Sequence, residues 1–260
     1  MTIRSPWFAL VCLMGLVFYS ANGHAVGPVS GERLVYNIHW MGAPGGKAEI
    51  RYLRQDENHY SIIMTLESIG LVDVLHSIRD RFEATGLLTP TGPVAANYLK
   101  LVRQGKKEKR VEMVFNRQEN YAARLEGEEK KEEERFESLE EGTNDPLSAI
   151  YKVRMMEKLQ GGEEINAPMV EGKRRYKTVV YVTDAEPLYG PLGWFKVWQF
   201  SPVLQPSKLF EEKGNMTFWL SQDDLRLPVR INSRIKVGSI IADLMAYDDG
   251  RGNYREFSQR

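Results

Sequence analysis

The chain has 260 residues, with 35 Lys and Arg against 35 Asp and Glu, 42% hydrophobic and 10% aromatic. This composition supports a buried core and excludes a charge-dominated disordered chain, and at ~100–200 residues per domain the length allows one large domain or two small ones. A formal charge of zero argues against a dedicated nucleic-acid binder, which needs a basic surplus for its phosphate contacts.

Residues 1–25 read as an export signal. Arg4 precedes an apolar run from Trp7 to Tyr19, and Gly23-His24-Ala25 puts small residues at the two positions a signal peptidase reads. The run is too short to cross ~30 Å of hydrocarbon. Cleavage near Ala25 is therefore expected, leaving residues 26–260 as a single β-rich domain in the periplasm. Cys12 follows Val11 rather than a small residue, so it does not mark a lipoprotein. Without it the mature chain has no disulfide, thiol nucleophile or Cys-ligated metal. No later apolar run approaches ~18 residues, so no integral membrane span is expected.

Leu34, Tyr36, Ile38 and Trp40 alternate with Arg33, Val35, Asn37 and His39, the period of a half-buried strand. Gly42 to Gly46 breaks this run, and Ala48, Ile50 and Tyr52 resume it, predicting a hairpin. Tyr60–Leu66 and Ser77–Thr85 read as strands, and between them Gly70–Leu75 is an apolar segment that reads as a short core helix, a lid or a membrane-touching loop. Ala95–Arg103 and Glu108–Asn116 flank Gln104-Gly105 as another hairpin. Lys100–Arg110 carries six basic residues, and Glu126–Glu141 carries nine Glu. The two stretches read as oppositely charged, solvated strands that attract each other across a sheet.

Asp145-Pro146 predicts a helix start, with Asp145 as the cap and Pro146 in the first turn. Leu147, Ile150, Tyr151 and Arg154 form a stripe, and Gly161-Gly162 ends the element. Strands follow near 165–170, 173–184, 193–201, 215–221, 227–236 and 239–247. Short connections make the sheet antiparallel. So many strands should curl into a barrel or half-barrel, with the central amphipathic helix covering it, and a two-sheet sandwich is the alternative.

Three stretches carry a family likeness: Gly31-Glu32-Arg33-Leu34-Val35-Tyr36, Asp145-Pro146-Leu147-Ser148-Ala149-Ile150-Tyr151, and Met216 to Asp223 with Leu227-Pro228-Val229. Together they resemble the bacterial exported family called domain of unknown function 3108 (DUF3108). The resemblance implies an exported β-rich protein of unassigned activity. It also suggests a fold-level likeness to half-barrel envelope proteins that carry lipids or lipoproteins.

Chemistry is sparse. His39, His59 and His76 form no His-Glu-x-x-His pair, and there is no Gly-x-Ser-x-Gly elbow or phosphate loop. Asp73, His76 and Asp80 would share a face only on a helix, and Ser77 onward reads as strand. No catalytic residue, metal ligand or cofactor is assigned. The aromatics Trp40, Tyr151, Trp194, Trp198 and Trp219 are the candidate lining for an acyl chain or sugar. Trp198 and Phe200 share one strand face, while Trp219 lies opposite Phe218 and Leu220, so some aromatics must serve a second surface. The expected function is a noncatalytic binding or carrier module of the cell envelope for a lipid-like or other amphiphilic ligand. An interaction or scaffold protein with an envelope protein partner is the alternative, and a hydrolase the third.

Overall fold

The computed structural model describes residues 26–206, 216–234 and 238–257; the predicted export signal lies outside the described residues. The chain opens with β1 (Glu32–Trp40), β2 (Ala43–Arg54) and β3 (His59–Ser68), followed by the short helix α1 (Gly70–Leu75). The meander continues through β4 (Arg79–Thr89), β5 (Gly92–Gln104), β6 (Lys107–Asn116), β7 (Tyr121–Glu126) and β8 (Lys131–Glu137). Helix α2 (Pro146–Arg154) then interrupts the strands. After it come β9 (Glu164–Asn166), β10 (Met169–Glu171), β11 (Arg174–Gly190), β12 (Gly193–Pro206), β13 (Met216–Ser221), β14 (Pro228–Arg234), β15 (Ser239–Asp249) and β16 (Tyr254–Glu256).

These strands form one antiparallel sheet in the order β10-β11-β12-β13-β14-β15-β1-β2-β3-β4-β5-β6-β7-β8, with β9 beside β11 and β16 beside β15. The backbone ladder does not close, and β10 and β8 end the path. The two ends nevertheless curl toward each other. Arg175 donates to the carbonyl oxygens of Ser138 (3.2 Å) and Glu137, and Lys177 pairs with Glu140 at 3.2 Å. Asn144 completes the bridge: its N–H donates to Pro168 O and its carbonyl accepts from Val170 N, each at 3.0 Å. The result is an open, barrel-like sheet, joined at its seam by side chains and by one short segment.

Alternation explains the inner wall. Leu34 and Tyr36 of β1, Ile50 and Tyr52 of β2, and Tyr60 and Ile62 of β3 are buried in one cluster that extends to Met113, Phe115, Leu147 and Tyr151. A second cluster holds Val180, Val182, Phe200, Phe218 and Leu220 against Val153. Helix α2 thus contributes to both cores.

Several local expectations change. The first hairpin turns on two residues, Met41 and Gly42, both left-handed (φ 51° and 84°), and β2 includes Pro44-Gly45-Gly46, with a bulge at Gly45. That is the backbone a two-residue hairpin demands. Pro168, which has no N–H to give, falls between two short strands where one was expected. The basic and acidic stretches are not neighbours, because β7 lies between β6 and β8. Their opposite charges meet through Glu126 at the end of β7, which pairs with Lys109 at 2.8 Å. Helix α1 is no core helix, since none of its residues is buried. Helix α2 stops at Arg154, well before Gly161. It presents no fully exposed residue, so it is an interior element and not the two-faced cover expected of an amphipathic helix.

Candidate functional site

Helix α2 is built to be held from both ends. At its start the Asp145 carboxylate accepts from Leu147 N (2.9 Å), Ser148 N (3.0 Å) and the Ser148 hydroxyl, satisfying groups that a helix N-terminus leaves open. The Ser148 and Tyr60 hydroxyls lie 2.7 Å apart, tying the first turn to β3. Just before the cap, the Asn144 side chain accepts from Ala95 N (2.8 Å) and donates to Pro93 O (3.0 Å), which fastens β5. Burial pushes the Asp145 carboxyl up against the opposing pull of those hydrogen bonds, to about 6.

At the other end lies a buried ion pair. Arg154 and Glu32, 0% and 2% exposed, meet in a fork: Nη1 to Oε1 at 2.7 Å and Nη2 to Oε2 at 2.6 Å. Tyr151 adds a hydroxyl donor to Glu32 Oε1 at 3.0 Å, and Arg154 Nε donates to Arg226 O at 2.8 Å. Burial alone would lower the Arg154 pKa; the charge and hydrogen bonds of Glu32 outweigh it and raise it. Arg226 in turn donates to the carbonyl oxygens of Arg154 (3.3 Å), Met156 and Glu157 (3.3 Å), the free acceptors at the helix C-terminus. Asp223 and Ser221 organise that turn: Asp223 Oδ1 accepts from Leu225 N and Arg226 N (both 3.1 Å), and Ser221 Oγ accepts from Leu227 N (2.8 Å). Gly27 packs here as well, and a Cβ on it would meet Arg154 O at 2.7 Å. The three stretches that carry the family resemblance therefore converge on one saturated network whose work is structural.

The space lies along the flank of α2. A cleft of 820 Å³ is lined by Lys152, Val153, Met155 and Met156, by Glu163–Ala167 opposite, and by Pro90 and Thr91 of the β4–β5 turn. It shares Ala149, Val153 and Ala167 with a 70 Å³ pocket between α2 and the strands β10–β13, walled by Ile150, Met169, Val180, Met216 and Phe218. The one polar side chain of that inner pocket is Thr178, which is 4% exposed, and its hydroxyl is buried without a hydrogen-bond partner. Four methionines line the two spaces, a soft wall that repacks around irregular apolar shapes.

The sequence-derived aromatics do not assemble there. Tyr151 is buried and stacked on Tyr52, with ring centroids 5.3 Å apart, in the saturated network. Trp198 packs against the second cluster and Trp219 against the first, on opposite faces of their strands as expected. Trp194 is 71% exposed at the β11–β12 hairpin, tilted against Tyr189, and Trp40 is 37% exposed beside the β1–β2 turn. None of the five lines the cleft or the pocket. Asp73 accepts from Ser68 and from Arg79 (2.7 Å each), and Asp80 accepts from Arg103 N (3.0 Å) and Gln104 Nε2 (2.8 Å). Among the described residues no cluster of three metal-ligating side chains occurs. The groove was missed because it is made of small residues and methionines; the visible signal was Ala149 and Val153, one turn apart on a helix, followed by Met155-Met156.

Comparisons with known proteins give the fold a context. The crystal structure of a beta-barrel-like protein of domain of unknown function DUF1849 from Brucella abortus superposes on 85% of this chain and 98% of its own, with a TM-score of 0.56 and 9% identity. The hypothetical protein CT021 from Chlamydia trachomatis covers 89% of this chain and 93% of its own at 9% identity, with a TM-score of 0.39, too weak to define a common fold. None of the curated protein sequences matches significantly. The profile of the family described as Protein of unknown function (DUF3108) matches residues 35–245, so the chain belongs to that family.

Proposed function

We propose that the protein is an exported, noncatalytic binding module that takes an apolar or amphipathic molecule into the groove beside α2. The observation that supports this is the pairing of free space with an unmet polar group. The 820 Å³ cleft adjoins an apolar pocket whose wall includes Thr178, and the buried hydroxyl of Thr178 has no partner. That volume lies within the ~300–1,000 Å³ typical of ligand sites, which are mostly apolar with a few placed polar groups. Burial of a lipid-like chain against Ala149, Val153 and the methionines would drive binding at roughly 25 cal/mol per Å² of apolar area. Thr178 would fix the polar end or a kink of the ligand. The rim carries Lys152, Lys158, Glu157, Glu163 and Glu164, and His39, His59 and His76 lie elsewhere, so no nucleophile–base pair suggests turnover. Export rests on the pattern from Arg4 to Ala25, and a mature N-terminus at Val26 checks it.

The test is extraction of protein purified from its native periplasm without detergent, followed by mass spectrometry. Wild type should release a near-stoichiometric amphiphile. Ala149→Trp, which fills the groove from the helix, should release less than a tenth as much while keeping its thermal transition. A repeatedly empty wild-type protein, or equal loading of the variant, would reject the proposal.

A further inference from the structure

The wall of the cleft opposite α2 is a sheet edge. Among the described residues β9 pairs with β11 alone, through Glu164↔Tyr181, Ile165↔Val180 and Asn166↔Val179. Its bonds to β11 fall on every second residue: Val182 N donates to Glu163 O at 2.9 Å, and Ala167 N donates to Thr178 O at 2.8 Å. In an antiparallel pair the residues between these turn their N–H and C=O to the other side. Glu164 and Asn166 therefore hold theirs away from β11, on the edge that lines the cleft.

A little further along, the same edge is already taken by an extended segment. Pro168 and Val170 continue the alternation, and Asn144 pairs with them in the parallel sense, giving its N–H to Pro168 O and accepting from Val170 N. The chain does not carry this pairing on to β9. Before Asn144 it turns away, with Thr143 N donating to Glu140 O at 3.1 Å and Gly142 left-handed (φ 78°), and after Asn144 it enters α2. Gly142 and Asn144 line the cleft together with Glu163–Ala167. The cleft thus lies where a second extended segment would continue the ladder that Asn144 begins.

The side chains of a strand added there would alternate between the two faces of the sheet. Ile165 packs with Val180 and with Val153 of α2, so one of those faces is the one that the helix covers. On that side Ala167, Thr178 and Val180 wall the 70 Å³ pocket with Ala149, Ile150 and Val153. Its volume is far below the ~300 Å³ at which ligand pockets begin, and it suits a single aliphatic side chain.

We propose that the groove takes an extended peptide, which adds to β9 as a strand. This rests on the groove reading and names the class of its occupant. Main-chain hydrogen bonds to Glu164 and Asn166 give affinity, and one small aliphatic side chain in the pocket gives selectivity, the division of labour of strand addition. An acyl chain would cover the same edge without pairing it, and the covered N–H and C=O groups would lose their bonds to water.

Panning of a displayed random-peptide library on the purified protein tests the proposal, followed by binding measurements on one enriched sequence made synthetically. Enriched sequences should share an aliphatic residue at one fixed position, and Ala149→Trp should abolish their binding. N-methylation of alternate residues removes the donors from one edge of the peptide and keeps its side chains. In one phase it should weaken binding about tenfold or more, and in the other leave it nearly unchanged. Asn166→Pro removes one outward donor at an edge, where proline is tolerated, and should weaken the peptide roughly fivefold. An unchanged thermal transition checks that variant, and the two methylation phases decide the question without it. Equal effects of both phases, or binding that survives Ala149→Trp, would overturn the proposal. A lipid recovered from native-source protein that enriches no peptide would overturn it and keep the groove reading. An empty protein that also enriches nothing would overturn both.

Discussion

The saturated end of α2 and its open flank use neighbouring residues of one nine-residue helix for opposite ends. Tyr151 and Arg154 are buried with their polar atoms committed to Glu32 and to main-chain carbonyls. Ala149 and Val153, one turn apart, border empty space whose wall includes Thr178, a residue with a buried, unpartnered hydroxyl. Buried polar groups that all find partners hold a structure in one geometry. A buried polar group without one is a cost, and beside a cavity it is a reason to look for a ligand. The difference separates what anchors the helix from what the helix can offer to a ligand.

The largest effect should come from breaking the saturated side. Arg154→Met leaves the Glu32 carboxylate buried without its cation and should lower unfolding free energy by about 3–5 kcal/mol. Adding Glu32→Met should recover much of that loss, because the isolated charge is gone. Urea denaturation of the single and double variants measures both, and an additive double variant would contradict the pairing.

Next is the cap, which makes the same contrast depend on pH. Asp145 has a folded pKa near 6, above its ordinary value near 4. The folded state therefore holds the proton longer. The stabilisation is fully present below about pH 4 and is lost as pH rises through 6, at up to about 1.4 kcal/mol per pH unit. Asp73 and Glu126, both held down near 2, act in the other direction and below this window. Asp145→Asn keeps an acceptor for the helix N–H groups, so it should flatten the stability profile between pH 4 and 6. A slope that survives the substitution would assign it to another group.

The smallest effect sharpens the open side. Thr178→Val removes the orphan hydroxyl at nearly constant shape and should stabilise the empty protein by about 1 kcal/mol. The same change should reduce the amphiphile recovered from native-source protein. Stability and loading then move in opposite directions, which a merely structural threonine would not produce.

The strands were legible where one face is buried and the other wet. Leu34 and Tyr36 in β1, and Val111, Met113 and Phe115 in β6, show the period of two directly. Asp145-Pro146 announced the helix because capping is local chemistry. Strand β7 was missed because its buried positions Ala122, Ala123 and Arg124 include small residues and a charge, whereas β8, six of whose seven residues are exposed, was legible as a solvated, charged strand. The aromatics misled for a related reason. A tryptophan's size shows that it will pack against something, but its partner depends on strand register, which put Trp198 and Trp219 in different cores and Trp194 in solvent.

The sequence by itself determined the family, the mainly β architecture and the start of the helix, because periodicity and capping act over a few residues. Only the tertiary structure decided what those parts do together. Glu32 and Arg154 are 122 positions apart, and the groove borrows from α2, β9–β13 and the β4–β5 turn. Space and unpaired polar groups belong to the packed whole, where the curl of the sheet and the place of α2 within it set which side chains are used up and which are left to bind.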